Sequence, residues 1–175
     1  MRPPINFKKW IDDNRHLLKP PVGNQVIYQD TDFIVMVVGG PNARKDFHYN
    51  EGEEFFYQIE GDMTLPIIEN GKVKNIEIKE GEIFLLPPKV PHSPQRGPNT
   101  VGLVIERTRR PDEKDACIWY CENCNTELHR AEFHLDDIVG QLTKLLNEFY
   151  SNEALRTCKN CGTVMEKPQL KTAVA

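Results

Sequence analysis

The chain has 175 residues, 39% of them hydrophobic and 27% charged, with 22 Lys and Arg against 26 Asp and Glu and a formal net charge of -4. That composition supports a packed core and excludes wholesale disorder. The acidic balance argues against a nucleic-acid partner, whose usual footprint is a basic excess or stripe. No apolar run reaches the roughly 18 residues of a membrane helix. Met1-Arg2-Pro3-Pro4 lacks the apolar stretch of a secretory signal, so no membrane association is expected and the expected address is the cytoplasm.

Asn6 to Leu18 read as a helix, because Phe7, Trp10, Ile11 and Leu18 recur at helical spacing behind Asn6, a good N-cap. Lys19-Pro20-Pro21 ends it, since proline removes a donor and restricts its predecessor. From Val22 to Glu106 short β-rich runs alternate with turn residues. The runs are Gln25–Gln29, Phe33–Val38, Glu54–Glu60, Met63–Ile68, Val73–Ile78, Ile83–Leu86 and Val101–Glu106. Many short strands at this spacing predict a mainly β sandwich or barrel. Asn70-Gly71 between Ile68 and Val73 predicts a type I′ hairpin, whose two central residues need positive φ. The charged stretch Arg107 to Asp115, with Pro111, reads as a linker. Leu135 to Tyr150 reads as an amphipathic helix with Leu135, Ile138, Val139, Leu142, Leu145, Leu146 and Phe149 on one stripe. Leu170 to Ala175 read as a frayed end. The chain therefore divides into an N-terminal helix and proline linker (1–21), a β barrel (22–110) and a C-terminal extension (111–175).

Five cysteines need a reason other than disulfides in a reducing compartment. Four form two C-x2-C pairs with matched flanks, Cys121-Glu122-Asn123-Cys124-Asn125-Thr126 and Cys158-Lys159-Asn160-Cys161-Gly162-Thr163. Such a turn lets two thiolates chelate one metal, and the chain then tends to need a left-handed residue, which Asn125 and Gly162 tolerate. Two knuckles facing each other make a tetrahedral all-sulfur site for zinc or iron, saturated and therefore structural. His129 and His134 lie close enough in sequence to serve as alternative ligands, and Cys117 reads as a small buried apolar residue.

The β region carries a second constellation. Glu54 opens Phe55-Phe56-Tyr57-Gln58-Ile59, a run with no other formal charge. His92 follows the apolar run Ile83–Leu86 and the corner Pro87-Pro88. Both sit where strands meet loops at a barrel mouth, the place where ligands collect. Glu54-x6-Gly61, and Gly81-x5-Pro87 followed by His92, resemble the two motifs of the cupin superfamily. The likeness has departures: the usual His-x-His is reduced to His48, and Lys89 stands where a glycine is expected. What remains is His48, Glu54 and His92, the two-histidine, one-carboxylate facial set of non-haem Fe(II) oxygenases.

Further segments narrow the likeness. Asn24 behind Pro20-Pro21-Val22-Gly23, Gly39-Gly40-Pro41-Asn42, Glu53-Glu54-Phe55-Phe56-Tyr57-Gln58, His92-Ser93-Pro94-Gln95-Arg96 and Val104-Ile105-Glu106-Arg107 resemble the 3-hydroxyanthranilate 3,4-dioxygenase family, over roughly Ile5 to Pro168. The four-cysteine tail, similar in its knuckles to rubredoxin, marks the short single-cupin form common in bacteria. The resemblance implies a cupin fold, a double-stranded β-helix of jelly-roll kind, with a small helical metal-binding C-terminal extension. It implies Fe(2+) at His48, Glu54 and His92, a second Fe or Zn at Cys121, Cys124, Cys158 and Cys161, and O2 as co-substrate. The implied substrate is a benzoate with adjacent amino and hydroxyl groups. Ring cleavage between C3 and C4 would give 2-amino-3-carboxymuconate 6-semialdehyde, which closes to quinolinate, a precursor of NAD. A homodimer is also implied.

Within that likeness Arg96 is the candidate for the substrate carboxylate, because a guanidinium fork matches it bidentately. Glu106 is the candidate proton acceptor for the substrate hydroxyl. Arg44, four residues before His48, would steady negative charge on oxygen as it is reduced, and Asn24 would hydrogen-bond substrate or oxygen. Two other readings stay open. One is a different cupin enzyme on the same barrel, such as a sugar isomerase or another dioxygenase. The other is a non-enzymatic cupin sensor with a zinc ribbon. Two arginines and a glutamate favour an aromatic acid over a neutral sugar, and the acidic net charge speaks against the sensor.

Overall fold

In the computed structural model of the chain, which describes residues 3–19, 23–28, 31–136 and 138–169, Asn6 accepts from the Lys9 backbone N–H and caps α1, Phe7–Asn14. The helix is shorter than expected, because Arg15–Leu17 tighten into a 3-10 turn. Pro20 and Pro21, expected to stop it, and Leu170 to Ala175, expected to fray, lie outside the described residues. Ile11 and Leu18 pack on Val37 and Val101 and cover one corner of the sheet behind them.

The strands that follow are β1 (Asn24–Tyr28), β2 (Phe33–Gly39), β3 (Asp46–Tyr49), β4 (Glu54–Glu60), β5 (Met63–Glu69), β6 (Lys72–Ile78), β7 (Ile83–Leu86), β8 (Gln95–Arg96), β9 (Val101–Arg107), β10 (Asp115–Tyr120) and β11 (Glu127–Phe133). β1, β2, β4, β5, β6, β7 and β9 coincide with the apolar runs of the sequence; Gln29, expected in the first, is outside the described residues. β3, β8, β10 and β11 were not expected. A five-stranded sheet, β1-β2-β9-β4-β7, faces a second layer made of two three-stranded sheets, β11-β10-β3 and β6-β5-β8. His92 stitches that layer together by bridging to His48 of β3 and to Ile67 of β5. Met36, Phe56, Leu86 and Val104 of the first layer meet Met63, Leu65, Ile67 and Ile78 of the second in one buried core. The result is the two-layered cupin fold, mainly β, without full closure into a barrel. Asn70 and Gly71 join β5 to β6 at φ of 52° and 72°, as a type I′ turn requires.

The stretch Arg107 to Asp115 is not a linker. Arg109, Glu113 and Asp115 are buried in it, and the chain runs directly into β10, which pairs with β3. The extension is therefore continuous with the layer that carries His48. It also contains a hairpin, β10–β11, in addition to its helices α2 (Ile138–Ser151) and α3 (Glu153–Arg156). Leu135 lies ahead of α2 rather than within it. The side chains of Ile138 and Val139 are outside the described set. Leu142, Leu145, Leu146 and Phe149 pack with Cys117, Trp119 and Met165, and Phe149 stacks on Trp119 with ring centroids 4.2 Å apart. Among the described residues no helix is long and apolar enough to cross a membrane.

Candidate metal centre and substrate pocket

Strand alternation brings the first ligand in. Along β4 the inward set is Glu54, Phe56 and Gln58, so Glu54 shares the core face with Phe56. His48 and His92 exchange both backbone hydrogen bonds, at 2.7 and 2.9 Å, which sets their rings side by side with centroids 5.3 Å apart. One ligand atom from each of His48, Glu54 and His92 lies within 4.8 Å of the other two. The Nδ1 of His92 lies 2.9 Å from the Val90 carbonyl, to which it donates, so Nε2, 2.9 Å from Glu54 Oε2, is the nitrogen that takes either a proton or a metal. The Nε2 of His48 lies 2.7 Å from Asp115 Oδ2. Two buried imidazoles, each tied at one nitrogen by an acceptor, and one buried carboxylate form a donor set suited to a divalent transition metal with open positions.

The electrostatics agree. Burial pushes the Glu54 carboxyl up, but the His92 imidazole beside it prevails and holds it at about 2. Burial pushes His92 down, and the Glu54 carboxylate overrides this and raises it. A bound cation would replace the proton that this pair shares.

The three residues line a cavity of about 340 Å³, and Arg96, Glu106, Arg44 and Asn24 line it too. All seven residues expected at the mouth are therefore gathered around one space. Arg96 is 4% exposed, and among the described residues its one hydrogen-bonded side-chain partner is the Gln58 carbonyl oxygen at 2.9 Å. Its Nε is buried without a partner. Burial drives this guanidinium down to about 10, with only Glu54 opposing. Gly102 makes room for it, since a Cβ there would stand 2.5 Å from Arg96 Nη1. Arg44 differs, because the buried Asp46 holds it in a two-point ion pair. Glu106 faces Glu54 directly across the β4–β9 register. Burial first, and the Glu54 charge second, raise its carboxyl.

The structure adds an element that sequence reasoning missed. Phe133, Leu135, Leu142 and Leu146 of the C-terminal extension line the same cavity and give it an apolar wall. The stripe on α2 was legible in the sequence; that it faces the pocket as well as its own core was not.

The family model for 3-hydroxyanthranilic acid dioxygenase matches residues 1–150. The chain belongs to the 3-hydroxyanthranilic acid dioxygenase family. It is 54% identical over 172 residues to the 3-hydroxyanthranilate 3,4-dioxygenase of Xanthomonas campestris pv. campestris strain 8004, covering 98% of this chain and 97% of that one. It is 51% identical over 162 residues to the enzyme of the same name from Bacillus cereus, covering 92% and 90%. Among solved structures, a cupin-2 domain containing protein from Shewanella frigidimarina is similar at a TM-score of 0.46 and 22% identity, covering 60% of this chain and 94% of that one.

In this member of the dioxygenase family the four cysteines come together at the far end of β10. Cys121 and Cys161 sulfurs are 3.5 Å apart, and Cys124 and Cys158 sulfurs 3.6 Å. Metal–sulfur bonds of about 2.3 Å in a tetrahedron imply sulfur separations of about 3.8 Å, so the cluster is near the size of a metal site. The knuckles are copies of one another. Cys121 N–H donates to Thr126 O and Cys158 N–H to Thr163 O, both at 2.8 Å, and Asn125 and Gly162 take φ of 58° and 75°. His129 is no ligand: it stacks with Trp119. Nor is His134, whose Nδ1 lies 2.9 Å from the Glu113 carbonyl oxygen. Cys117 is fully buried, with burial pushing its thiol up to about 12. Around the dioxygenase's cavity, Asn50, Arg109 and Asp115 also escaped the sequence reading. For Arg109 and Asp115 the one visible signal was the density of acidic and basic residues just beyond the apolar strand β9; Asn50 gave none.

Proposed function

We propose that the chain opens the ring of 3-hydroxyanthranilate with O2 between C3 and C4, giving 2-amino-3-carboxymuconate 6-semialdehyde, which cyclises to quinolinate, a precursor of NAD. Arg96 carries the reading. A buried cation without an acidic partner among the described residues, beside a two-histidine, one-carboxylate set lining the same cavity, suits an aromatic acid that also chelates metal. A neutral sugar would leave that charge unpaired.

His48, Glu54 and His92 hold iron in this proposal. When bound, the iron supplies electronic coupling between an aminophenol chelate and O2. Both oxygen atoms end in the product and the substrate supplies the electrons, so no external reductant is needed. Arg96 takes the substrate carboxylate and fixes the ring's orientation. Glu106 accepts the proton of the substrate hydroxyl. Its Oε2 already receives hydrogen bonds from Arg109 and Asn50, which leaves Oε1 for the pocket that Glu106 lines. Arg44, held by Asp46, steadies negative charge as O2 is reduced, and Asn24 hydrogen-bonds at the cavity edge. Leu142 and Leu146 keep water from the reacting groups. The four cysteines bind iron or zinc as a staple that ties the Cys158–Cys161 knuckle to the Cys121–Cys124 knuckle beyond β10.

The chain acts as a homodimer in this account. Ile83, Leu85 and Phe33 are 65%, 54% and 59% exposed on the outer face of the five-stranded sheet, an apolar surface that a second copy would cover. A reducing compartment, the cytoplasm, suits its unpaired cysteines. The test is anaerobic loading with Fe(II), then 3-hydroxyanthranilate and air. Absorbance of the ring-opened product supports the reading, and an unchanged substrate spectrum refutes it.

A further inference from the structure

Glu54 and Glu106 are direct partners across the β4–β9 register and both face the core. Two carboxylates so placed repel each other in a poorly solvated space, and the structure answers with a buried network. The Arg109 guanidinium, its side chain 2% exposed, is fixed at every nitrogen. Its Nη2 donates to Glu106 Oε2 at 2.7 Å and to Asp115 Oδ2 at 2.7 Å, its Nε to Asp115 Oδ1 at 2.6 Å, and its Nη1 to the Arg107 carbonyl at 2.9 Å. Asp115 is fully buried and meets His48 Nε2 with the oxygen that also faces Arg109. On the other side Asn50 donates to Glu106 Oε2 and Glu54 Oε2, both at 3.3 Å. None of Asn50, Arg109 and Asp115 lines the cavity.

We propose that Arg109 and Asp115 are positioning residues for the reaction: one arginine fork holds the carboxylate of Glu106 and, through Asp115, the imidazole of His48. The inference rests on the metal and proton roles proposed above for His48 and Glu106. Arg109 and Asn50 both occupy Oε2 of Glu106, so the carboxylate cannot rotate without breaking a charge-assisted bond, and Oε1 stays with the pocket. Asp115 does for His48 what the Val90 carbonyl does for His92: it fixes which ring nitrogen carries the proton and which is free for a metal. A lysine in place of Arg109 keeps the charge but cannot bond two carboxylates in this fork. Proton acceptor and metal ligand are thereby held as one unit, and disturbing either anchor reaches both.

The experiment uses the full chain with Arg109→Lys and, as a near-isosteric change that keeps the chain packed, Asp115→Asn. Each is loaded with Co(II) and with Fe(II). Three quantities are read: the Co(II) ligand-field spectrum, the rate of Fe(II) release to a chelator, and kcat and KM per bound iron. The expected result is an altered Co(II) spectrum and metal release faster by about 10- to 100-fold in both variants, the usual cost of losing an outer partner of a metal-bound histidine. In Arg109→Lys, kcat falls by about 10- to 100-fold with KM little changed, because Arg109 does not touch substrate; a general base contributes at least that much. Should Arg109→Lys fail to fold, Asp115→Asn carries the metal arm alone. Folded variants with a wild-type spectrum, wild-type metal release and wild-type kcat, lowered only in melting temperature, overturn the proposal. Failure of the functional reading looks different: the unmodified, iron-loaded chain itself leaves 3-hydroxyanthranilate intact, while the Co(II) spectrum and metal release still decide the positioning of His48.

Discussion

Replacing Arg96 with alanine removes a buried cation that has no acidic partner among the described residues. For the fold the change is mild. Gln58 Oε1 loses one hydrogen-bond donor, a cost of about 1 kcal/mol, and relief of an unpaired buried charge offsets it. The melting temperature should stay near that of the unmodified chain. For the substrate the change is severe, because its carboxylate enters the cavity that the buried Arg96 lines and finds no counter-charge. Breaking one side of a desolvated charge pair costs about 2 to 5 kcal/mol. A value of about 3 kcal/mol corresponds to a loss of roughly 150-fold in kcat/KM, at 1.36 kcal/mol per factor of ten. The assay compares 3-hydroxyanthranilate with 2-aminophenol, which keeps the chelating groups and lacks the carboxylate. Arg96→Ala should lose the large factor on the acid and little on 2-aminophenol, so that the preference narrows. Equal losses on both compounds would refute the assignment of Arg96 to the carboxylate.

Other consequences can be checked alongside. Alanine at His48, Glu54 or His92 removes one of three ligands, so iron content and turnover should collapse together while circular dichroism stays β-rich; normal iron content in Glu54→Ala would remove Glu54 from the site. Cys121→Ser or Cys158→Ser should empty the tail site and lower the melting temperature. Because Leu142 and Leu146 line the cavity, KM should rise, while single-turnover ring cleavage per counted active-site iron stays near normal; loss of the chemical step would mean the tail metal takes part in it. In metal-stripped protein the raised His92 contributes stability that is fully present below its ordinary value near 6.5 and is lost as pH rises through its folded value. Glu54, held at about 2, contributes stability present above its ordinary 4.5 and lost as pH falls towards 2. Melting temperature followed against pH should show both limbs, and Co(II) affinity should climb with pH as the shared proton is displaced; a flat affinity profile would contradict the pairing.

Local pattern carried much of the fold. Short β-rich runs between turn residues marked Glu54–Glu60 and Val101–Arg107 as strands, though not which face each residue takes, and Asn70-Gly71 announced its own turn. The matched knuckles likewise wrote the four-cysteine centre into two short stretches of chain. What escaped was set by distant partners. β3 is a four-residue strand directly after Arg44-Lys45, and its place comes from pairing with β10, almost seventy residues on. β10 itself begins at Asp115 in a stretch whose charges suggest solvent, yet Arg109 and Asp115 neutralise each other inside the protein. The consecutive apolar run Ala116-Cys117-Ile118-Trp119 is the mark of a strand buried on both faces, which periodicity alone does not separate from a helix. That His48, Glu54, His92, Arg44 and Arg96 belong around one cavity was legible as a family pattern. Asn50, Arg109 and Asp115 were not, since only tertiary packing makes three scattered polar residues into one network.

The account turns on both atoms of O2 entering the substrate with scission between C3 and C4. The direct measurement is mass spectrometry of the product formed by the iron-loaded chain from 3-hydroxyanthranilate under ¹⁸O2 in ordinary water. Ring opening puts one labelled atom in the new carboxylate and one in the aldehyde. Cyclisation expels the aldehyde oxygen as water, so the account predicts quinolinate with a single ¹⁸O in the carboxylate derived from C3. Unlabelled quinolinate, or a hydroxylated product with its ring intact, would contradict it.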